Sequence, residues 1–349
     1  MWIKYIFIVA FYFSSSIVLG QTEVDTLSIK NKLQPVSSEN IFKTDNYYNW
    51  GPSIIKGDDE LYHLYYSRWP KKNKFSGWLT HSEIAHAISK KPSGPWQFKE
   101  VVLKGTRNDK WDAITAHNPK IKYFEGKYYL YYIATNFGTE KINDEKLYIL
   151  GTKKILNKER NILRRNMRTG VAVANSLEGP WKRQGKPIIE PSGPITTITV
   201  NPAIDQGKDG RYYLIVKGDK PNEKRFIRNQ AIAIAEKPTG EFVIQDKPVI
   251  DYLDTEDMSL WYDKKRDYFY GVFHAHTYIG MVSSSDGINW EKATEDVLMA
   301  KKIPLSDGTL LLPERMERPF IYTENNEPKV LSFSVKKGDE SYIVFREIE

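Results

Sequence analysis

One pattern recurs five times along the chain and limits what it can fold into. It reads "PSIIKGDDELYHLYYSRW" from Pro52, "PKIKYFEGKYYLYYIATN" from Pro119, "PAIDQGKDGRYYLIVKGD" from Pro202, "MSLWYDKKRDYFYGVFHAH" from Met258 and "PFIYTENNEPKVLSFSV" from Pro319. Each copy is a short apolar strand, a turn rich in Gly, Asp, Asn or Lys, and a second strand of alternating large residues, which is the signature of a β-hairpin. The starts lie between 56 and 83 residues apart, a spacing close to that of propeller blades. A second motif of strand, turn and aromatic falls between them: "EIAHAISKKPSGPWQF", "GVAVANSLEGPWKRQ", "QAIAIAEKPTGEFVIQ" and "IGMVSSSDGINWEKA". These predict the outer hairpins of four blades, with the tail "SYIVFREIE" as the outer strand of a fifth. The expected fold is therefore all-β, a five-bladed β-propeller over residues 45–349. Five strand pairs in register favour radial closure over a two-sheet sandwich.

The 22 tyrosines, in a chain whose aromatic content is 13%, fit this reading. Most fall on second strands, where rings with one apolar side and one wet end pack between neighbouring blades. Ahead of the repeats, residues 1–20 carry a lysine, an apolar stretch "YIFIVAFYF" and a small-residue exit near Gly20, the pattern of a secretory signal. Export to the periplasm or the medium is expected, with no stable membrane association after cleavage. Residues 21–44 read as a leader, loose or covering a sheet edge. Cysteine is absent, so neither disulfides nor cysteine chemistry enters. The net charge of +7 points mildly to acidic partners, but the basic residues are local and the aromatics follow strand packing, so nucleic acid is not an expected partner. No phosphate loop, dinucleotide fingerprint or nucleophile elbow is present.

In a propeller the first strand of each blade lines the central channel, and the residues before each hairpin converge on one face. Here they are Asn49-Trp50-Gly51, Ala116-His117-Asn118, Thr199-Val200-Asn201, Thr255-Glu256-Asp257 and Met316-Glu317-Arg318. Carboxylates, amides, an imidazole and a guanidinium thus come together at one mouth.

With "WDAITAHNP", "TEDMSLWYD", "MERPFIY" and the repeated "GPW", the chain resembles the five-bladed propeller glycosidases, glycoside hydrolase family 43 and relatives such as family 117, over nearly its whole mature length. The resemblance implies hydrolysis of a furanoside, xyloside or anhydrogalactoside. It implies a carboxylate pair, one protonated and one ionised, separated in the inverting families by roughly 6.5–9.5 Å. Family 43 usually has an aspartate before the first-blade proline and another in the second blade. Gly51 and Asn118 stand there instead, so other carboxylates must serve.

The candidate catalytic residues are Asp257 and Glu317, with Asp112 as base or pKa tuner and Glu256 as the alternative acid. Acids sharing a desolvated channel push each other's pKa values apart, which supplies both protonation states. Candidate substrate contacts are Trp50 and Trp111 by stacking, Asn118, Asn201, His117 and His274 by hydrogen bonds, and Arg68, Lys217 and Arg318 on an anionic substituent. His274 and His276 in "FHAH" have one-face spacing on a strand, but no third ligand accompanies them, so no metal site or cofactor is assigned. The segment Lys153 to Arg168, with seven basic residues and one acidic, reads as an insertion in the second blade that either embraces an anionic glycan or is simply solvated. The expected function is an exported glycosidase, exo-acting and inverting, on a carbohydrate from a plant or algal polysaccharide. The alternatives are a glycoside phosphorylase and a non-catalytic sugar-binding propeller.

Overall fold

A strand that lies in a sheet and also turns a side chain toward a central axis needs an interruption, and all five innermost strands have one. The computed structural model describes residues 26–138, 142–152 and 158–349. The segment read as a secretory signal lies outside the described residues, as do 153–157 of the basic insertion.

Five four-stranded antiparallel sheets radiate from one axis, which is the expected fold class. Blade I is Tyr47–Lys56, Tyr62–Pro70, Glu83–Ser89 and Gln97–Leu103; blade II is His117–Phe124, Lys127–Ala134, Arg168–Ala174 and Lys182–Arg183. Blade III is Thr196–Gln206, Tyr212–Asp219, Arg228–Ala235 and Val243–Pro248; blade IV is Glu256–Asp263, Tyr268–His274, Tyr278–Ser284 and Glu291–Ala300. Blade V takes Arg315–Glu324, Glu327–Lys337 and Glu340–Glu347 from the end of the chain, and its fourth strand is Ile41–Phe42. The tail is thus the third strand of this blade, and the outermost strand comes from the leader. Ile41 pairs with Val344 and Phe42 with Ile343. Further upstream, Leu27, Ile29 and Val36 are buried in the cluster of blades IV and V, and the Glu295 carboxylate accepts from the backbone N–H groups of Ile29 and Lys30.

The tyrosines alternate with the pleat. In "YYLYY", Tyr129 and Tyr131 face blade III, beside Ile204 and Tyr212, while Tyr128 and Tyr132 face blade I, beside Tyr65 and Ile84. Burial of such rings contributes roughly 1.5–3 kcal/mol each. Two of their hydroxyls find partners: that of Tyr131 donates to the Pro238 carbonyl at 2.6 Å and that of Tyr132 to the Asp112 carboxylate at 3.3 Å.

The interruptions are β-bulges. Cross-strand register slips between Trp50 and Ser53, His117 and Lys120, Val200 and Ala203, Glu256 and Ser259, and Glu317 and Phe320. Inside each slip one residue takes the left-handed backbone conformation, with φ of 66° at Gly51, 50° at Asn118, 57° at Asn201, 65° at Asp257 and 59° at Arg318. Bulges re-aim a side chain that regular pleating would bury between sheets.

Candidate active site

The bulge residues form a partial ring around the axis. Asn118 Nδ2 donates to Asn201 Oδ1 at 2.9 Å, Asn201 Nδ2 donates to Asp257 Oδ1 at 2.5 Å, and Arg318 Nη1 donates to the same Asp257 oxygen at 2.8 Å. Blade I contributes only Gly51. A Cβ there would lie 2.8 Å from Asn118 Oδ1 and 3.7 Å from Arg318 Nε. The space that a first-blade aspartate would need is filled by its neighbours in the ring.

Above the ring opens a cavity of about 300 Å³. Its polar wall comes from the residues just before the bulges, His117, Glu256 and Glu317, with Asp257, Asn118, Asn201 and Arg318 below. Trp50, Trp69, Phe75 and Trp78 form an apolar wall on the blade I side. Lys217, Phe226 and Arg228 of blade III face them, and the helix Lys158–Arg165 of the blade II insertion brings Arg160 and Arg164 to the rim. One half of the basic segment therefore does reach the site.

The carboxylates converge: Glu256, Asp257, Glu317 and the His274 ring each place one ligand-type atom within 4.8 Å of the others. Such a set could hold a metal ion. Each carboxylate is already balanced by a protein cation, however. Arg318 holds Asp257, with His274 Nδ1 3.0 Å from the other Asp257 oxygen. Lys217 and Arg228 hold Glu256 at 3.0 and 3.1 Å, and Arg315 holds Glu317 at 2.7 Å. His274 is joined to this cluster and not to His276, which is 71% exposed and faces Asp254 at 3.6 Å; the paired-histidine spacing does not survive the turn at 275–277.

Electrostatics divide the three acids. Burial works to raise the Asp257 carboxyl, but Arg318 and His274 outweigh it and hold the group far below the usual carboxylate range. Burial opposes ionisation of Glu256 too, yet Lys217, His274 and Arg228 prevail and keep its pKa below normal. Asp257 is thus a fixed negative charge in the floor. Glu256 and Glu317, with side chains 13% and 15% exposed, are the acids that face the cavity. His117 is neutral at physiological pH, since burial and the nearby Arg318 charge push its pKa down to about 3. Its ring stacks on Trp78 at 5.3 Å, and Ser82 Oγ lies 2.7 Å from its Nδ1.

Three expected site residues lie elsewhere. Asp112 is buried between blades I and II, where it accepts from Arg183 Nη1 at 2.8 Å and from the Tyr132 hydroxyl at 3.3 Å. Its separation of six residues from Asn118 put it near the mouth in sequence, but the loop folds back along the blade. Trp111 packs its ring against Gly170 and Tyr132. Arg68 pairs with Glu83 and lies between the Tyr47 and Phe98 rings. Conversely, Phe75, Phe226, Arg228 and Arg315 line the site without having been singled out; they sit in a short 3-10 turn, a loop or at strand starts, where periodicity is silent.

Residues 98–244, from the outer strand of blade I into that of blade III, match the model of Glycosyl hydrolases family 43. No curated protein sequence matches the chain. Among solved structures, a family 117 glycoside hydrolase from Zobellia galactanivorans aligns over 90% of this chain and 88% of its own at 18% identity, with a TM-score of 0.59. An endo-arabinase from Bacteroides thetaiotaomicron covers 93% and 98% at 14% identity and TM-score 0.55. A family 43 β-xylosidase/α-arabinofuranosidase from a compost metagenome covers 90% and 93% at 15% identity and TM-score 0.57. The resemblance to the five-bladed propeller glycoside hydrolases of families 43 and 117 is borne out, and the family match supports a glycosidase.

Proposed function

We propose that the protein is an exported, exo-acting glycosidase, with Glu256 and Glu317 as its carboxylate pair and Asp257 as the charge that anchors the floor. The observation that carries this reading is the convergence of three acids, up to 61 residues apart, on one cavity with oxygens within 4.8 Å. Glycosidic cleavage needs one carboxyl to give a proton to the leaving oxygen and one ionised partner. The cations around Glu256 suit it to the ionised role, which leaves Glu317 as the donor. His117, the axis amides and the aromatic wall fit sugar hydroxyls and a sugar face. A cavity walled by loops on several sides fits a chain end, which supports exo action.

The inverting course implied by the resemblance asks for roughly 6.5–9.5 Å between the carboxyls, whereas one oxygen of Glu256 and one of Glu317 lie within 4.8 Å of each other. An inverting pair would therefore part when sugar and water enter. Proton NMR of the first product anomer decides between inversion and retention. The decisive experiment is a screen of arylglycosides and plant or algal oligosaccharides, followed by paired variants. Glu317→Gln should spare substrates with good leaving groups, which need no proton, whereas Glu256→Gln should lose them all. Equal retention of turnover in both variants would remove the pair from the chemistry.

The ion pairing of every carboxylate in the cavity also favours a second reading, a sugar-binding propeller without turnover. It predicts saturable oligosaccharide binding with no product from any substrate in the screen. A phosphate requirement for turnover would instead identify a phosphorylase.

A further inference from the structure

Beside the cavity lies a second cleft of about 690 Å³ over the junction of blades V and I. Phe75, Trp78, Arg160 and Arg315 belong to both, so the two spaces share one wall. The cleft adds Lys74 and Lys336 on its cationic side, against Glu314 and Asp339. The acids are engaged: Glu314 takes Lys336 Nζ and the Gly338 N–H, and Asp339 accepts from the Tyr48 hydroxyl at 2.6 Å. Arg315 gives its Nε to Glu317 and lies 5.4 Å from the centre of the Phe75 ring, with Lys336 5.7 Å from the same centre.

Lys74 is the unusual member. Its backbone has φ 59° and ψ 169°, a region that is essentially glycine's own and costs other residues about 1–3 kcal/mol. Neighbours enforce the shape: the Lys74 N–H donates to the Lys71 carbonyl at 2.9 Å, and the Lys74 carbonyl accepts from Trp69 Nε1 at 3.2 Å and from the Gly77 N–H at 3.0 Å. Its exposed ammonium has no partner among the described residues. A glycine would relieve the backbone, yet a long cation stands there, at the edge of an aromatic-walled cleft.

We propose that this cleft is a subsite for an anionic sugar unit, whose carboxylate or sulfate is read by Lys74, Lys336 and Arg315 while the ring rests against Phe75 and Trp78. That the unit lies on the leaving side of the scissile bond rests on the reading of function above; the anion preference does not. Paired and unpaired cations with a shared aromatic wall select charge and a flat apolar sugar face together.

Calorimetric titration of the whole protein with tetragalacturonate, a sulfated carrageenan tetrasaccharide and neutral xylotetraose tests it. One anionic ligand is expected to bind about ten-fold or more tightly than the neutral one, a preference that salt erodes; the arm that wins distinguishes carboxylate from sulfate. Lys74→Met and Lys336→Met should each remove most of that preference and leave neutral binding unchanged. Lys74→Gly should do the same while raising Tm by about 2 °C, because the strain is gone. Equal affinity for all three ligands, no binding of any, or a preference that persists in both Met variants would overturn the proposal. A gain in Tm from Lys74→Gly without loss of anion affinity would show that the strained turn serves only the loop. Charge discrimination without turnover would leave the subsite standing and remove the glycosidase reading.

Discussion

Blades I to III and blades IV and V use one backbone device for opposite ends. All five innermost strands bulge at the same point and turn a left-handed residue to the axis. The first three present Trp50-Gly51, His117-Asn118 and Val200-Asn201, which carry no charge at neutral pH; the last two present Glu256-Asp257 and Glu317-Arg318, in which every side chain is ionisable. The fold repeats the geometry, and the side chains break the symmetry. A sugar in the cavity would meet aromatic and amide recognition on one side and acids on the other.

The sharpest way to break this comparison is to neutralise the charged half. Glu256→Gln is expected to lower turnover by about 10²–10⁴-fold with little change in KM; steady-state kinetics check it, and an unchanged kcat would put the chemistry elsewhere. Asp257→Asn should act on the fold, because it leaves buried Arg318 and His274 facing a neutral group; a loss of about 3–5 kcal/mol in denaturant unfolding is expected, and near-neutrality would mean that the pair is not the anchor of the floor. Installing an acid in the neutral half tests the converse. Gly51→Asp meets Asn118 Oδ1 and a left-handed backbone, so a loss of about 2 kcal/mol without any gain in activity should appear. Trp78→Ala should raise KM about ten-fold with kcat nearly kept, since it removes a stacking face and not a charge.

The last test concerns pH. His117 is held neutral in the folded protein, with a pKa of about 3, while the unfolded chain binds its proton near pH 6.5. A folded pKa below the unfolded one means stability that is complete above about pH 6.5 and declines as pH falls toward 3. His117→Gln should flatten the slope of stability between about pH 6.5 and 4, by up to roughly 1 kcal/mol per pH unit, in chemical denaturation series. An identical slope would place the ring in water.

Much of this architecture was legible because hairpins announce themselves locally. Turn residues and period-two aromatics gave all five blades, and the triplets before them held nine of the residues that now line the cavity or its floor. Asp112, Trp111 and Arg68 were misplaced for a physical reason: proximity in sequence to a bulge does not tell which way a loop returns, and each found a partner in a neighbouring strand. The origin of the outermost strand in blade V was hidden because a two-residue strand has no periodicity to read. Arg228 and Arg315 were hidden because a cation at a strand start has the same local signature whether it meets solvent or a carboxylate.

That short strand has a consequence for how the molecule comes into being. Ile41 and Phe42 pair with Val344 and Ile343, so the circle is clasped by two segments about 300 residues apart in the sequence. Closing so long a loop costs chain entropy that only the finished sheets repay, so ring completion belongs late in folding.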